Sequence, residues 1–177
     1  MKFIDKGKTF AIRLFRKQII KLPRGHYHMV FEFLNSKNVA GYIAYLKKAM
    51  AEEPEAMTAE IIDESSIQNR LRDPFYQHTK SILAIDNDLV VGRIEYHFYG
   101  CMQDGYRMAY VDWVYVLKDY RHRGIAQQLF RELERDCAEN HIFQYYLIRA
   151  TNENADRFYK QFQNAELSCE PFLRKYM

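Results

Sequence analysis

Three consecutive cationic side chains stand before a glycine at the point where the sequence changes from strand-like to helical. They are Arg121, His122 and Arg123, and Gly124 follows them. The first N–H groups of a helix lack intrahelical partners and lie at its positive end, so they bind phosphate groups readily. A glycine there lets a ligand approach the backbone closely, because it has no Cβ. Residues 121–126 therefore predict an anion site, and a pyrophosphate is the ligand that suits it.

Strands and helices alternate around this segment. The run before it is rich in aromatic and β-branched residues, whereas Ile125, Leu129, Leu133 and Cys137 after it recur at four-residue steps. Such patterns predict strands at residues 28–34, 81–86, 89–99, 108–116, 143–150 and 172–177. They predict helices at residues 66–72, 124–140 and 154–162. A further helix is predicted to begin at a cap at Asn35-Ser36 and to end near Pro54. Residues 86–88 predict a hairpin turn. This order of elements indicates a single α/β domain.

Length and composition restrict the class of protein. The chain has 177 residues, of which 48% are hydrophobic and 28% charged, with 7 Gly and 4 Pro. These values suit a hydrophobic core and exclude collagen-like, low-complexity and disordered chains. No run approaches the roughly 18 apolar residues of a membrane-spanning helix, so we expect no membrane partner. Three distant cysteines without a C-x-x-C pair, and no secretory signal, indicate a cytoplasmic protein.

The first 28 residues are strongly basic. They carry five Lys and three Arg against one Asp, and apolar residues recur among them at near-helical spacing. We interpret residues 1–27 as a basic helical extension and residues 28–177 as the folded domain. A basic face suits a polyanion or a membrane surface, but a solvated face of a packed helix is the simpler interpretation. Nucleic acid is therefore not an expected partner.

The hexapeptide at residues 121–126 resembles the fingerprint of the GNAT N-acetyltransferase superfamily, Arg/Gln-x-x-Gly-x-Gly/Ala at a strand–helix junction. Val116 and Tyr120 match the residues that usually precede this fingerprint, and Ala126 is an accepted variant of its last glycine. The order of elements over residues 28–177 agrees with the superfamily as well. The resemblance implies a GNAT-like fold with a mixed central β-sheet flanked by helices.

A second segment, at residues 152–159, is similar to the superfamily's N-x-x-A-x-x-F/L-Y pattern and again follows a predicted strand. The resemblance implies that Asn152 hydrogen-bonds the pantetheine region of coenzyme A. It implies that Tyr159 protonates the departing thiolate, and a phenol is a proton donor at neutral pH. The chain departs from the pattern at residues 162–165, where a Gly-Phe pair is usual in the superfamily.

The resemblance also implies that the anion site binds the pyrophosphate of coenzyme A, with acetyl-CoA as the acyl donor. Backbone amides of residues 121–126 and of Gln127 would hold the pyrophosphate, and residues 114–116 would pair with the pantetheine arm like another strand. The implied cofactor-binding residues are Val114, Tyr115, Val116, Arg121, His122, Arg123, Gly124, Ile125, Ala126, Gln127 and Asn152. We expect no metal, because His26 and His28 have no third ligand nearby in the sequence.

Two carboxylates are candidates for the general base. An amine acceptor arrives mostly protonated, so its attack requires a proton acceptor, directly or through water. Strand alternation places Asp112 on the face of Val114 and Val116, with Trp113 on the opposite face in the core. Glu95 on the preceding strand is the rival candidate. In the purely structural interpretation, either carboxylate pairs with an arginine or caps a strand.

These observations predict an acetyl-CoA-dependent N-acetyltransferase that acetylates a primary amine by direct attack in a ternary complex. The alternative is a non-catalytic CoA-sensing or partner-binding module of the same fold, and the presence of Tyr159 favours the enzyme. The acceptor class expected is a small-molecule or peptide amine, and a homodimer is compatible with such domains. Residues 52–55, with three glutamates around Pro54, predict either an acidic rim that attracts the amine or a solvated helix end.

Overall fold

A computed structural model describes residues 29–56, 61–150, 152–168 and 173–175. The predicted basic extension and parts of the predicted last strand lie outside these residues, and residues 173–175 form no strand. The strands are β1 (Met29–Phe33), β2 (Thr79–Asp86), β3 (Leu89–Gly100), β4 (Arg107–Val116) and β5 (Gln144–Leu147). The helices are α1 (Val39–Glu52), α2 (Glu64–Arg70), α3 (Ile125–Glu139) and α4 (Glu153–Tyr159), with 3-10 turns at Pro54–Ala56, Pro74–Tyr76 and Lys118–Tyr120.

The five strands form one mixed sheet in chain order, β1-β2-β3-β4-β5. β1 to β4 are successively antiparallel. The predicted hairpin turn between β2 and β3 is confirmed, since Asn87 and Asp88 have φ of 46° and 67°, as the favoured two-residue turns require. β5 runs parallel to β4, because Phe143 N donates to Arg107 O and the Tyr146 ring lies against Tyr110, three residues further along both strands.

Helices cover both faces of this sheet. Arg93 and Tyr96 of β3 are three residues apart and therefore point to opposite faces. Arg93 contacts Tyr42 of α1, and Tyr96 donates a hydrogen bond to Asp136 of α3 at 2.6 Å. The core lies against α3, in which Leu129 and Leu133 are 0% exposed. The predicted mixed sheet flanked by helices is confirmed.

Several predicted boundaries differ from the observed ones. Asn35-Ser36 does not cap α1, because the Asn35 side chain accepts from Lys37 N at 2.8 Å in a turn that precedes the helix. β5 has four residues instead of the predicted eight. None of the described helices is long and apolar enough to span a membrane.

Residues 147–177 form a compact unit of their own. In it, the Asn152 side chain caps α4 by accepting from Ala155 N at 2.9 Å. The rings of Phe158, Tyr159 and Phe162 contact one another, with centroids 5.1–5.8 Å apart. This aromatic cluster holds the end of α4 and fixes the backbone that carries Tyr159.

Candidate active site

The predicted anion site is a turn that leads from β4 into the first turn of α3. His122 and Gly124 have left-handed backbone conformations, with φ of 60° and 77°. Gly124 is the N-cap of α3, supplies no side-chain cap, and is followed by a first turn without acidic residues. The amides of Ile125, Ala126 and Gln127 therefore lack intrahelical acceptors at the positive end of a helix. This donor set fits a phosphate group, and we name residues 122–127 the cradle.

The Arg121 side chain pairs with a carboxylate at the end of α1. Its guanidinium forms a bidentate ion pair with Glu53, in which both N–O distances are 2.9 Å, and its Nε donates to Val116 O at 2.9 Å. The Arg121 amide donates to Lys118 O at 3.2 Å. Hydrogen bonding to Arg121 lowers the pKa of the Glu53 carboxyl, and the same bond raises the pKa of Arg121. Arg121 is thus a structural residue at the entrance of the cradle.

The remaining cations of the motif lie closer to solvent. Arg123 donates to Asp119 O at 2.5 Å and stacks over the Tyr120 ring at 4.8 Å. His122 is exposed. These two side chains are the cations within the cradle itself.

Side chains of α1 fix the end of β4, where the pantetheine arm is expected. Tyr45 OH donates to the carbonyl of Tyr115 at 3.0 Å, and Tyr115 OH donates to Glu52 at 3.2 Å. Burial raises the pKa of both tyrosines well above the usual range. Val114 and Val116 pair with Ile94 and Gly92 of β3, on the face of the sheet opposite to Tyr115. β4 has ten residues and β5 has four, so part of β4 extends beyond its neighbour.

A cavity of about 950 Å³ lies between α1, α2 and strands β2 to β4. Its wall includes both candidate bases together with aromatic and cationic side chains. The residues that matter for the chemistry are Tyr42, Ser81, Arg93, Glu95, Asp112 and Trp113.

The expected orientation of Asp112 is wrong. Val111 pairs with Tyr96 and Trp113 pairs with Glu95, so Asp112 is an extra residue without a cross-strand partner. Such a β-bulge reverses the alternation of side chains along β4. Trp113 is therefore not a core residue opposite Asp112. Both side chains line the same cavity, and Trp113 stacks on Arg93 at 5.6 Å.

Glu95 is held by two hydrogen bonds. Its Oε2 accepts from Ser81 Oγ at 2.7 Å and from Arg93 Nη1 at 2.9 Å. The same Arg93 nitrogen donates to Tyr42 OH at 2.6 Å. Asp112, in contrast, is exposed and makes no hydrogen bond with any residue that the structure describes. Of the two candidate bases, Glu95 is therefore engaged in an ion pair, whereas Asp112 makes no hydrogen bond among the described residues.

The sequence offered Arg93 only as an arginine that could pair with a candidate base. The structure confirms this pairing for Glu95, and Arg93 also contacts Tyr42 and Trp113. Burial lowers the pKa of Arg93, but the neighbouring Tyr42, Glu95, Tyr45 and Asp112 outweigh this effect and raise it. Burial raises the pKa of Tyr42 to about 12, against the opposing charge of Arg93. The available signal was a pair of opposite charges, Arg93 and Glu95, two residues apart in a largely apolar strand, since such charges are buried only with a partner.

The predicted residues of the second segment lie in the separate unit. Burial raises the pKa of Tyr159, and nearby Arg149 opposes this effect, so the phenol is protonated at neutral pH. Asn152 uses its carbonyl oxygen to cap α4. The structured residues contain no group of three or more side chains that could hold a metal ion.

Comparisons with known proteins agree with this arrangement. A search of solved structures finds an aminoglycoside acetyltransferase from an uncultured soil metagenomic sample, in complex with sisomicin, with a TM-score of 0.69 and 15% identity over 84% of this chain and 97% of that one. A ribosomal-protein-alanine N-acetyltransferase from Brucella melitensis biovar Abortus 2308 has a TM-score of 0.66 and 19% identity, over 83% and 99%. An aminoglycoside N-acetyltransferase in complex with CoA has a TM-score of 0.64 and 18% identity, over 88% and 99%.

At these identities the structural likeness establishes the fold. A sequence comparison with curated proteins yields no match. The acetyltransferase (GNAT) family model matches residues 47–163, which include the cavity strands, the cradle and the α4 segment. The chain belongs to the GNAT acetyltransferase family.

Proposed function

We propose that the protein is an acetyl-CoA-dependent N-acetyltransferase that acetylates a primary amine by direct attack in a ternary complex. The observation that carries this proposal is the left-handed glycine at the start of α3, which leaves the first amides of the helix open to a phosphate. A cavity lies against the same strand, β4, and its wall includes Asp112, a carboxylate without a hydrogen bond to any of the described residues. Donor site and acceptor site are thus built on one element.

Acetyl-CoA would supply an acetyl group activated as a thioester. The amides of the cradle would hold its pyrophosphate, and the backbone of residues 114–116 would align the pantetheine arm. Tyr45 donates to the carbonyl of Tyr115 from α1, which fixes the backbone at this end of β4. Rigid positioning of two reactants is itself a large contribution to the rate.

Asp112 is the proposed general base. It lines the cavity in the β-bulge of β4 and makes no hydrogen bond within the described part of the chain, so its carboxylate can accept the proton of the acceptor ammonium. Glu95 already accepts hydrogen bonds from Ser81 and Arg93 through one oxygen. Protonating Glu95 would weaken its hydrogen-bonded ion pair with Arg93, whereas Asp112 has no such hydrogen bond to lose among the described residues.

The relatives indicate the kind of acceptor. Two of the similar structures are described as aminoglycoside acetyltransferases and one as a ribosomal-protein-alanine N-acetyltransferase. Both descriptions name acceptors that carry amines, one a small molecule and one a protein. We therefore propose a small-molecule or peptide amine as the acceptor of this protein.

A thiol-release assay tests this function. The protein is incubated with acetyl-CoA and a panel of aminoglycosides, polyamines, amino acid amides and peptides with free N-termini, and free CoA is measured with a thiol reagent. We expect release that depends on the amine. Acetyl-CoA binding without release across the panel would support a CoA-sensing module instead, and the absence of binding would contradict both.

Replacing Tyr159 with phenylalanine should lower kcat about tenfold with the best amine of that panel. The phenol is protonated at neutral pH because burial raises its pKa, so it can donate a proton to the departing sulfur. The effect is moderate because a thiol has a pKa of about 8.5 and leaves readily as a thiolate. Phenylalanine preserves the ring contacts with Phe158 and Phe162, and the melting temperature should change little. An unchanged kcat would remove Tyr159 from the mechanism.

A further inference from the structure

Helix α1 ends in an arrangement of charge that is unfavourable for the helix itself. Its last residue is Glu52 and its C-cap is Glu53, and its last turn contains no basic residue. The C-terminal end of a helix carries partial negative charge, so carboxylates there destabilise it. Within α1 only Lys48 approaches them, at 4.0 Å from Glu52, so most of the stabilisation of these two residues comes from elsewhere in the fold.

That stabilisation comes from the segment between β4 and the cradle. Glu53 binds the guanidinium of Arg121 through both of its oxygens. Glu52 accepts from Lys118 N at 2.9 Å and from Tyr115 OH, and the Lys118 side chain donates to Glu52 O at 2.7 Å. The expectation that residues 52–55 form a solvated end or an acidic rim is thus wrong for its first two members.

The ion pair reaches the cradle through Arg121. Besides its bonds to Glu53, this side chain donates to Val116 O at 2.9 Å and stacks over the Tyr115 ring at 5.1 Å. It thereby closes the turn that spans the last residue of β4 and the first left-handed residue of the cradle, His122. A guanidinium that binds a carboxylate in a bidentate pair has little freedom to rotate.

We propose that Glu53 is a positioning residue for the coenzyme A site, which holds Arg121 and, through it, the turn that presents the cradle amides. The inference rests on the proposed function, because it concerns the affinity for the same acyl donor. The alternative is that the Arg121 side chain binds the phosphate directly. In that case Glu53 and the phosphate would compete for the same guanidinium.

The two roles of Arg121 predict opposite effects of the substitution Glu53→Gln. Coenzyme A is anionic, so removing a nearby negative charge favours its binding on electrostatic grounds alone. If Glu53 holds the turn, the loss of a charge-assisted pair loosens the cradle and weakens binding about tenfold. The sign of the change in Kd therefore separates positioning from competition.

The experiment is isothermal titration of CoA into five proteins at neutral pH: the wild type, Glu53→Gln, Arg121→Gln, the double variant and Glu55→Gln. Because Glu53 acts mainly through Arg121, both single variants should bind about tenfold more weakly. The double variant should bind only slightly more weakly than either, since the other cation near Glu53 is Lys118, at 3.5 Å. Glu55→Gln is the matched control, since Glu55 is exposed two residues further on and makes no hydrogen bond among the described residues. It should bind like the wild type.

Tighter binding by Glu53→Gln would overturn the proposal and assign Arg121 to the phosphate, and wild-type binding would overturn it without that assignment. A lower melting temperature without a change in Kd would also overturn it, because it would show a purely structural pair. If Glu53→Gln does not fold, Glu53→Asp decides: its shorter carboxylate keeps at most one of the two bonds, and about threefold weaker binding is expected. A wild type that does not bind CoA contradicts the proposed function itself.

Discussion

We expect the Gly124→Glu variant to lose the rise in melting temperature that saturating acetyl-CoA gives the wild type. At a concentration of about 100 Kd, a ligand stabilises the native state by about 2.7 kcal/mol, which corresponds to about 5–10 °C for a chain of this size. Gly124 has φ of 77°, a conformation that costs an L residue about 1–2 kcal/mol. A carboxylate at this position would also lie at the first amides of α3 and compete with the phosphate.

Gly105 provides the matched control for backbone strain. It has φ of 69°, and a Cβ added there would meet no atom within 4 Å. Gly105→Glu should therefore introduce similar backbone strain and lower the melting temperature by a similar amount as Gly124→Glu. It should still show the full rise in melting temperature with acetyl-CoA. Differential scanning fluorimetry measures both variants. A retained ligand shift in Gly124→Glu, or its loss in Gly105→Glu, would contradict the assignment of the cradle.

The parts of the fold that local patterns determine were predictable from the sequence. The four-residue spacing of Ile125, Leu129 and Leu133 predicted α3, and all three are buried in it. The turn at Asn87 and Asp88 was predicted because these residue types tolerate left-handed backbone. The cradle belongs to this group, since its strand, turn and helix are consecutive in the chain.

Features that depend on distant residues were not predictable. Arg121 and Glu53 are 68 positions apart, and nothing in either neighbourhood indicates the pairing. The β-bulge at Asp112 inserts one residue into β4 without any glycine or proline to mark it, and it reverses which residues face the cavity. The sequence therefore identified both candidate bases but placed one of them on the wrong face.

The largest kinetic effect should come from Asp112→Asn. With the best amine of the panel, we expect kcat at pH 7 to fall about 100-fold or more, because the acceptor ammonium loses the group that removes its proton. The loss should shrink as the pH approaches the pKa of the acceptor amine, about 8 for an α-amino group and about 10 for an alkylamine, because the free amine then needs no base. Asparagine has nearly the same shape as aspartate, so the bulge and the KM for acetyl-CoA should change little. Steady-state kinetics from pH 7 to pH 9.5 measure both effects.

The variant Glu95→Gln tests the other candidate base. Its amide would weaken the ion pair with Arg93, whose side chain is 9% exposed, so the free energy of unfolding should fall by about 2 kcal/mol. Its kcat at pH 7 should fall much less than that of Asp112→Asn, and alkaline pH should not restore it, because Glu95 does not take the proton. The reverse pattern, with a pH-dependent loss in Glu95→Gln and none in Asp112→Asn, would make Glu95 the base. It would then follow that the ion pair with Arg93 opens when the acceptor binds.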